Sequence, residues 1–175
     1  RTKSKTYNYI LAHINLGLVY ITQGKIRAGI AKLTQAVKLG PQIAQSRKWL
    51  EIGLKRADRK LAPLKRAGLQ AVSDGRYNAA LKHFKQIQEQ APGRLRAGFN
   101  IAFIHQKRGK SEQAILAYKA WLKQAPNDMQ AHFNLGWALM KVKRCKDAIV
   151  EFERTLELNP EYSEARKLIQ QCRGN

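Results

Sequence analysis

The stretch HFNLGWALMKVKRCKDAIVEFERTLELNP, residues 132–160, decides how this chain is read. Its pieces recur near the start, in ILAHINLGLVYITQGKIRAGIAKLTQAVKLGP, residues 10–41. Both stretches end on a proline, and two more prolines mark further copies. Pro92, Pro126 and Pro160 are spaced by 34 residues, and the interval from Pro41 to Pro92 is one and a half such periods. A self-similar period of this size predicts a stacked solenoid. Solenoids of this kind mostly bind other proteins and seldom do chemistry.

Aligned on the prolines, the repeats begin at Ile10, Leu61, Leu95 and Met129. The eighth position holds Gly17, Gly68, Ala102 and Gly136, and the twentieth holds Gly29, Ala80, Ala114 and Ala148. Two antiparallel helices approach closely only where side chains are small, so these positions predict helix–helix contact. The seventh position is apolar (Leu16, Ala67, Ile101, Leu135), as is the twenty-fourth (Leu33, Phe84, Tyr118, Phe152). Gly24, Gly75 and Gly109 fall where a first helix would end, and glycine suits a left-handed cap. Proline then stops the second helix of each repeat.

These residues resemble the tetratricopeptide repeat (TPR) family. The clearest matches are His132 to Leu139, Asp147 to Phe152 and Leu156 to Pro160, with Asn15-Leu-Gly to Gly40-Pro41 repeating them. The resemblance implies an all-α, right-handed superhelical solenoid of helix pairs. Two departures stand out. The family's tryptophan at position four is His13, Leu64, Gly98 and His132 here. Its alanine at position twenty-seven is kept as Ala36 and replaced by Ile87, Trp121 and Thr155, so local packing should differ from an idealised array.

The expected organisation is a basic segment 1–9, a first repeat 10–41, an extra single helix 42–60, repeats 61–94, 95–128 and 129–162, and a capping helix 163–175. In the extra segment Ile43, Leu50, Leu54, Ala57 and Leu61 follow helical spacing. Pro63 would then sit in the first turn of the next helix, where its missing N–H costs little. Residues 163–173 are polar enough to face water beyond the last repeat.

The 175 residues carry a formal charge of +21, unevenly placed. Residues 1–50 hold nine Lys/Arg and no acid, whereas residues 129–175 hold eight against six. Such a field attracts acidic partners, nucleic acid or anionic lipid. Part of it also suits helix ends: Lys25, Arg76, Lys107, Arg108, Lys110, Lys141, Lys143 and Arg144 fall at turns, where cations favour a helix C-terminus. No run of 18 apolar residues occurs. The sequence starts at Arg1 rather than Met, which suggests a piece of a longer protein. Arg1, Lys3 and Lys5 are compatible with an upstream membrane anchor or with an ordinary basic terminus. Cys145 and Cys172 form no CxxC pair and read as two buried thiols, with a disulfide as the alternative. Compartment stays open.

Catalysis is disfavoured. No glycine-rich phosphate loop, HExxH or nucleophile elbow is present, and His13, His83, His105 and His132 read as packing residues rather than metal ligands. No cofactor is implied. The resemblance implies instead a concave groove lined by positions two, five, six, nine, twelve and thirteen of the first helices. Position six gives Asn15, Arg66, Asn100 and Asn134, similar to the asparagine ladder by which some members hold a peptide backbone. Phe99, Phe103, Phe133 and Trp137 flank it as anchors. Lys65, Arg66 and Arg96 add charge. The carboxylate clamp of chaperone-binding members is not reproduced: Lys65 and Asn100 fit, but Leu69, Gln130 and Asn134 replace its other groups. A basic surface of Lys25, Arg27, Lys32, Lys55, Arg56, Arg59 and Lys60 completes the candidate set. The reading is therefore a non-catalytic adaptor whose groove takes a peptide or helix with acidic and apolar residues. The alternative is a basic solenoid for nucleic acid or an anionic membrane surface.

Overall fold

The computed structural model describes residues 2–174, with side chains from Lys5 onward. Arg1 and the side chain of Lys3, which the anchor reading used, lie outside the described residues. The described chain is helical throughout: α1 (Thr2–Thr22), α2 (Ile26–Leu39), α3 (Ala44–Ser73), α4 (Tyr77–Gln90), α5 (Ala97–Lys107), α6 (Ser111–Leu122), α7 (Met129–Lys141), α8 (Cys145–Leu158) and α9 (Ser163–Arg173). It is an all-α helical-repeat solenoid. The helices fall into two compact units. The first takes the chain up to Ala67 together with Gln86–Leu95; the second takes Gly68–Lys85 together with the chain from Arg96 onward.

In the first unit α1 and α2 form an antiparallel pair around Ile10, Ile14, Ile21, Leu33 and Ala36, with Ile43, Trp49 and Leu50 packed against them. Small residues set the distance between the pair. A Cβ on Gly17 would stand 2.7 Å from Leu33 Cγ, and one on Gly29 would stand 2.7 Å from the Gly17 carbonyl oxygen. Leu16 is exposed, because α1 buries the stripe Ile10, Ile14, Gly17 and Ile21 and Leu16 lies off it. His13 is buried, edge-on to Tyr9 with ring centroids 4.7 Å apart.

Two expected boundaries are absent. The basic segment 1–9 is not separate, since α1 already runs from Thr2. No break occurs near residue 60 either: α3 continues through it, and Pro63 lies inside the helix rather than in a first turn. An interior proline removes one helical hydrogen bond and costs ~3 kcal/mol. Buried residues on each side oppose that cost, Ala57 and Leu61 before the proline and Gly68 and Ala71 after it. Full burial of one leucine is worth about 1.5–3 kcal/mol. Within the first unit, the Arg94 guanidinium also forks onto the Asp58 carboxylate, with Nε 3.1 Å from Oδ1.

The second unit stacks α5 on α6, α6 on α7, α7 on α8 and α8 on α9. Position twenty-four supplies its largest fully buried side chains, Phe84, Tyr118 and Phe152. Glycine makes room for two of them: a Cβ on Gly68 would meet Phe84 at 2.8 Å, and one on Gly136 would meet Phe152 at 2.7 Å. Turns between paired helices use the left-handed region, with φ of 83° at Gly24, 71° at Gly75 and 70° at Gly109. The last repeat has no glycine there, and Lys143 takes φ 61° instead.

The two departures from the family pattern compensate each other in the repeat 95–128. The indole missing at position four reappears at position twenty-seven. Trp121 is 5% exposed and fills the space opened by Gly98, where a Cβ would stand 3.0 Å from Trp121 Cε3. Bulk has moved from the first helix to the second with the contact preserved. At the far end α9 buries Ala165, Ile169 and Cys172 and turns Glu164, Arg166 and Lys167 to solvent.

Candidate functional site

Two first helices of the second unit, α5 and α7, carry the same stripe one period apart. It is Asn100, Phe103 and Lys107 on α5, preceded by Arg96 at the N-cap, and Gln130, Asn134, Trp137 and Lys141 on α7. Within each helix, steps of three and four residues put these side chains on one face.

The stripe is anchored at its N-terminal end. Leu95 and Arg96 both adopt φ 53°, and this left-handed pair leads the chain into α5. The Arg96 guanidinium lies over the Phe99 ring at 4.0 Å, pairs with Asp128 Oδ2 at 2.8 Å and reaches Gln130 Oε1 at 3.3 Å. Asp128 in turn caps α7 by accepting from the Ala131 N–H at 3.2 Å, and it accepts the Trp121 indole N–H at 2.8 Å. Arg96 therefore fixes the start of α5 against the start of α7, and its charge is compensated.

Three expected groove residues are occupied by packing. Phe99 is 7% exposed and belongs to the core, edge-on to Tyr118 with centroids 5.7 Å apart. Phe133 is half-buried between Phe152 and Tyr162, at 5.7 and 4.9 Å. Asn134 is 9% exposed, so it is not the solvent-facing amide that the ladder requires. The cause is Tyr118. Its buried hydroxyl donates to Gln106 Oε1 at 2.7 Å, and the Asn134 amide lies against it. Burial raises the Tyr118 pKa well above the usual phenol range, against the lowering effect of the Asn134 amide. Asn100 is half-buried, and its Nδ2 donates to the Arg96 carbonyl oxygen at 2.9 Å.

Phe103 and Trp137 are half-buried, as Phe133 is, and each has a lysine one turn on. Lys107 Nζ lies 5.3 Å from the Phe103 ring centroid and Lys141 Nζ lies 4.8 Å from that of Trp137. The sequence places these lysines at helix ends, and the structure also sets each beside an aromatic ring. An aromatic residue at position nine with lysine at position thirteen, twice at a spacing of 34, is the signal that marks them.

In the first unit, Asn15 and Arg66 are exposed and Lys65 is half-buried. Lys25, Arg27, Arg56 and Arg59 are exposed, and Lys32 is half-buried. Lys55 pairs with Glu51 at 2.6 Å, and Lys60 Nζ donates to the last α1 carbonyl, Thr22 O, at 2.8 Å, so part of this set serves local structure. Among the described residues, seven of the 12 carboxylates pair with Lys or Arg and Glu151 contacts His132, and none lies on α1 or α2.

The histidines differ. His132 bridges Glu151 at 2.7 Å and the Pro126 carbonyl at 2.9 Å, tying α7 to α8. His105 has its pKa lowered by burial and by the cations Arg108, Lys110 and Lys85. Cys145 and Cys172 are free thiols. The Cys172 thiol is pushed up to about 11, first by burial and then by the neighbouring Cys145.

Sequence profiles of the tetratricopeptide repeat match residues 71–132 and 102–163. No curated protein sequence matches the chain significantly. Solved structures share its fold. The first TPR of Spaghetti (RPAP3), bound to an HSP90 peptide, aligns with a TM-score of 0.63 at 20% identity, over 67% of this chain and 93% of that one. The P58(IPK) TPR domain aligns with a TM-score of 0.63 at 20% identity, over 96% of this chain and 46% of that one. The Yersinia enterocolitica secretion chaperone SycD, in complex with a peptide of the translocator YopD, gives 0.63 at 15% identity, over 66% and 93%. The chain belongs to the tetratricopeptide repeat family, whose members of this fold include peptide-binding interaction domains.

Proposed function

We propose that the protein is a non-catalytic adaptor that holds a segment of a partner protein against the α5 and α7 faces of its second unit. The observation that carries this reading is the pair of partly open aromatic rings, Phe103 and Trp137, at equivalent places on neighbouring repeats. A half-buried aromatic ring is rigid and offers apolar area at little cost in entropy, which is what interface anchors need. The peptide complexes of Spaghetti and SycD support the mode of action, since both use the same fold to hold a peptide. Asn100 offers its remaining amide oxygen to a partner backbone. The basic residues of the first unit, with no acid on α1 or α2 to offset them, would speed encounter with acidic surfaces.

Affinity capture with crosslinking mass spectrometry tests this. Crosslinks from the partner should converge on α5 and α7. Phe103→Ala with Trp137→Ala should weaken the captured partner by roughly tenfold or more, since losing a central aromatic anchor costs about 2 kcal/mol. Capture unchanged by that double variant would exclude this face.

A further inference from the structure

Resting on the reading of α5 and α7 as a partner-binding face, we infer that the face selects an extended acidic segment whose carboxylates stand three residues apart. The inference starts from the two cation–aromatic pairs, Lys107 over Phe103 and Lys141 over Trp137. Both lysines are exposed, and among the described residues neither is in an ion pair, although most carboxylates are. Arg96, at the N-cap of α5, is already neutralised by Asp128. The free charge of the face is therefore concentrated at Lys107 and Lys141.

The geometry sets the spacing of the ligand. Arg96 reaches from the start of α5 to Asp128 and Gln130 at the start of α7, so the two helices run side by side with their N-termini level. Helices in such contact lie about 8–10 Å apart. Lys107 and Lys141 occupy equivalent positions, so their ammonium groups repeat at about that interval. A chain in the extended polyproline II form advances about 3.1 Å per residue with three residues per turn, so carboxylates at i and i+3 share one face about 9 Å apart and match it.

Single-stranded nucleic acid also uses lysine and aromatic residues, through phosphate contacts and base stacking. Stacking needs a free ring face. Here a cation already lies over each ring, and a base would have to displace it. A carboxylate instead approaches the lysine from solvent and leaves the cation–aromatic contact intact. The observations therefore favour the acidic peptide.

The test uses fluorescein-labelled decapeptides on the full chain, read by anisotropy at about 0.15 M salt, near-physiological screening. One peptide carries two Glu at i and i+3 among Leu and Ala. A second has the same composition with the Glu adjacent, and a third has Gln for both. Ten-residue oligo-dT is the nucleic-acid probe. The i,i+3 peptide should bind about threefold tighter than the adjacent-Glu peptide, and more than that over the Gln peptide. Lys107→Gln with Lys141→Gln should remove that advantage while leaving the melting curve unchanged, because both side chains are exposed. If the spacing or the double lysine variant makes no difference, while Phe103→Ala with Trp137→Ala still weakens binding, the acidic selection is wrong and the face survives. If neither double variant matters, both fail. Oligo-dT outcompeting the i,i+3 peptide would replace the peptide by nucleic acid.

Discussion

Asp128→Ala probes the joint on which the candidate face is built. Three interactions end on this one carboxylate, whose side chain retains 14% of its exposure. It caps α7 through the Ala131 N–H, and loss of such a cap costs about 0.5–2 kcal/mol. It accepts the indole N–H of Trp121, a residue 5% exposed; stranding that donor costs about 1–3 kcal/mol. It pairs with Arg96, which is 43% exposed, so solvent screening leaves that pair worth about 0.2–1 kcal/mol. These terms share an atom pair and are not independent, so the expected loss is about 2–4 kcal/mol rather than their full sum. For a chain of this length that is a fall in melting temperature of roughly 4–16 °C. Asp128→Asn should fall between parent and alanine. An amide has one acceptor oxygen, so its NH₂ must face either the Ala131 N–H or the indole N–H. Urea denaturation followed by tryptophan emission is the assay. An alanine variant that unfolds at the parent's midpoint would show that Asp128 does not organise the joint between α5 and α7.

The repeat frame is visible in the sequence because it rests on size and backbone constraints that recur. Gly17 with Gly29, and Gly136 with Phe152, are contacts that admit no Cβ, so small residues return at fixed positions. Gly24, Gly75 and Gly109 return because the turn needs positive φ. What stayed hidden depends on which neighbour a side chain meets. Asn134 matches the ladder by position, but the buried Tyr118 hydroxyl needs polar company, and position alone does not report that. Phe99 has the composition of an anchor and the burial of a core residue. Pro63 points to a helix start, yet buried residues on each side, from Ala57 to Ala71, carry α3 through it. The exchange of bulk between Gly98 and Trp121 shows as two unrelated anomalies until the packing joins them. Lys107 and Lys141 suit helix termini on charge alone, and only their distance to Phe103 and Trp137 gives them a second use.

Two further outcomes follow from the packing. Gly136→Arg should destabilise the second unit strongly, because even a Cβ would stand 2.7 Å from the ring of Phe152, which is fully buried and has nowhere to move; a wild-type thermal melt would refute the contact. Cys172 should resist alkylation. Its thiol, raised to about 11 from 9.0, leaves roughly a thousandth as thiolate at pH 8, on the order of a hundredfold less than an ordinary cysteine. The sign of the stability effect follows from the same shift. The unfolded chain releases this proton first, so Cys172 favours the folded state below pH 9 and that advantage falls away as pH rises from about 9 to 11. Iodoacetamide labelling of the parent chain against time, read by peptide mass mapping, separates Cys172 from Cys145 and leaves both causes of the shift in place. Labelling at the rate of a free thiol at pH 8 would mean that α9 does not stay docked on α8, and that the cap on the last repeat is open in solution.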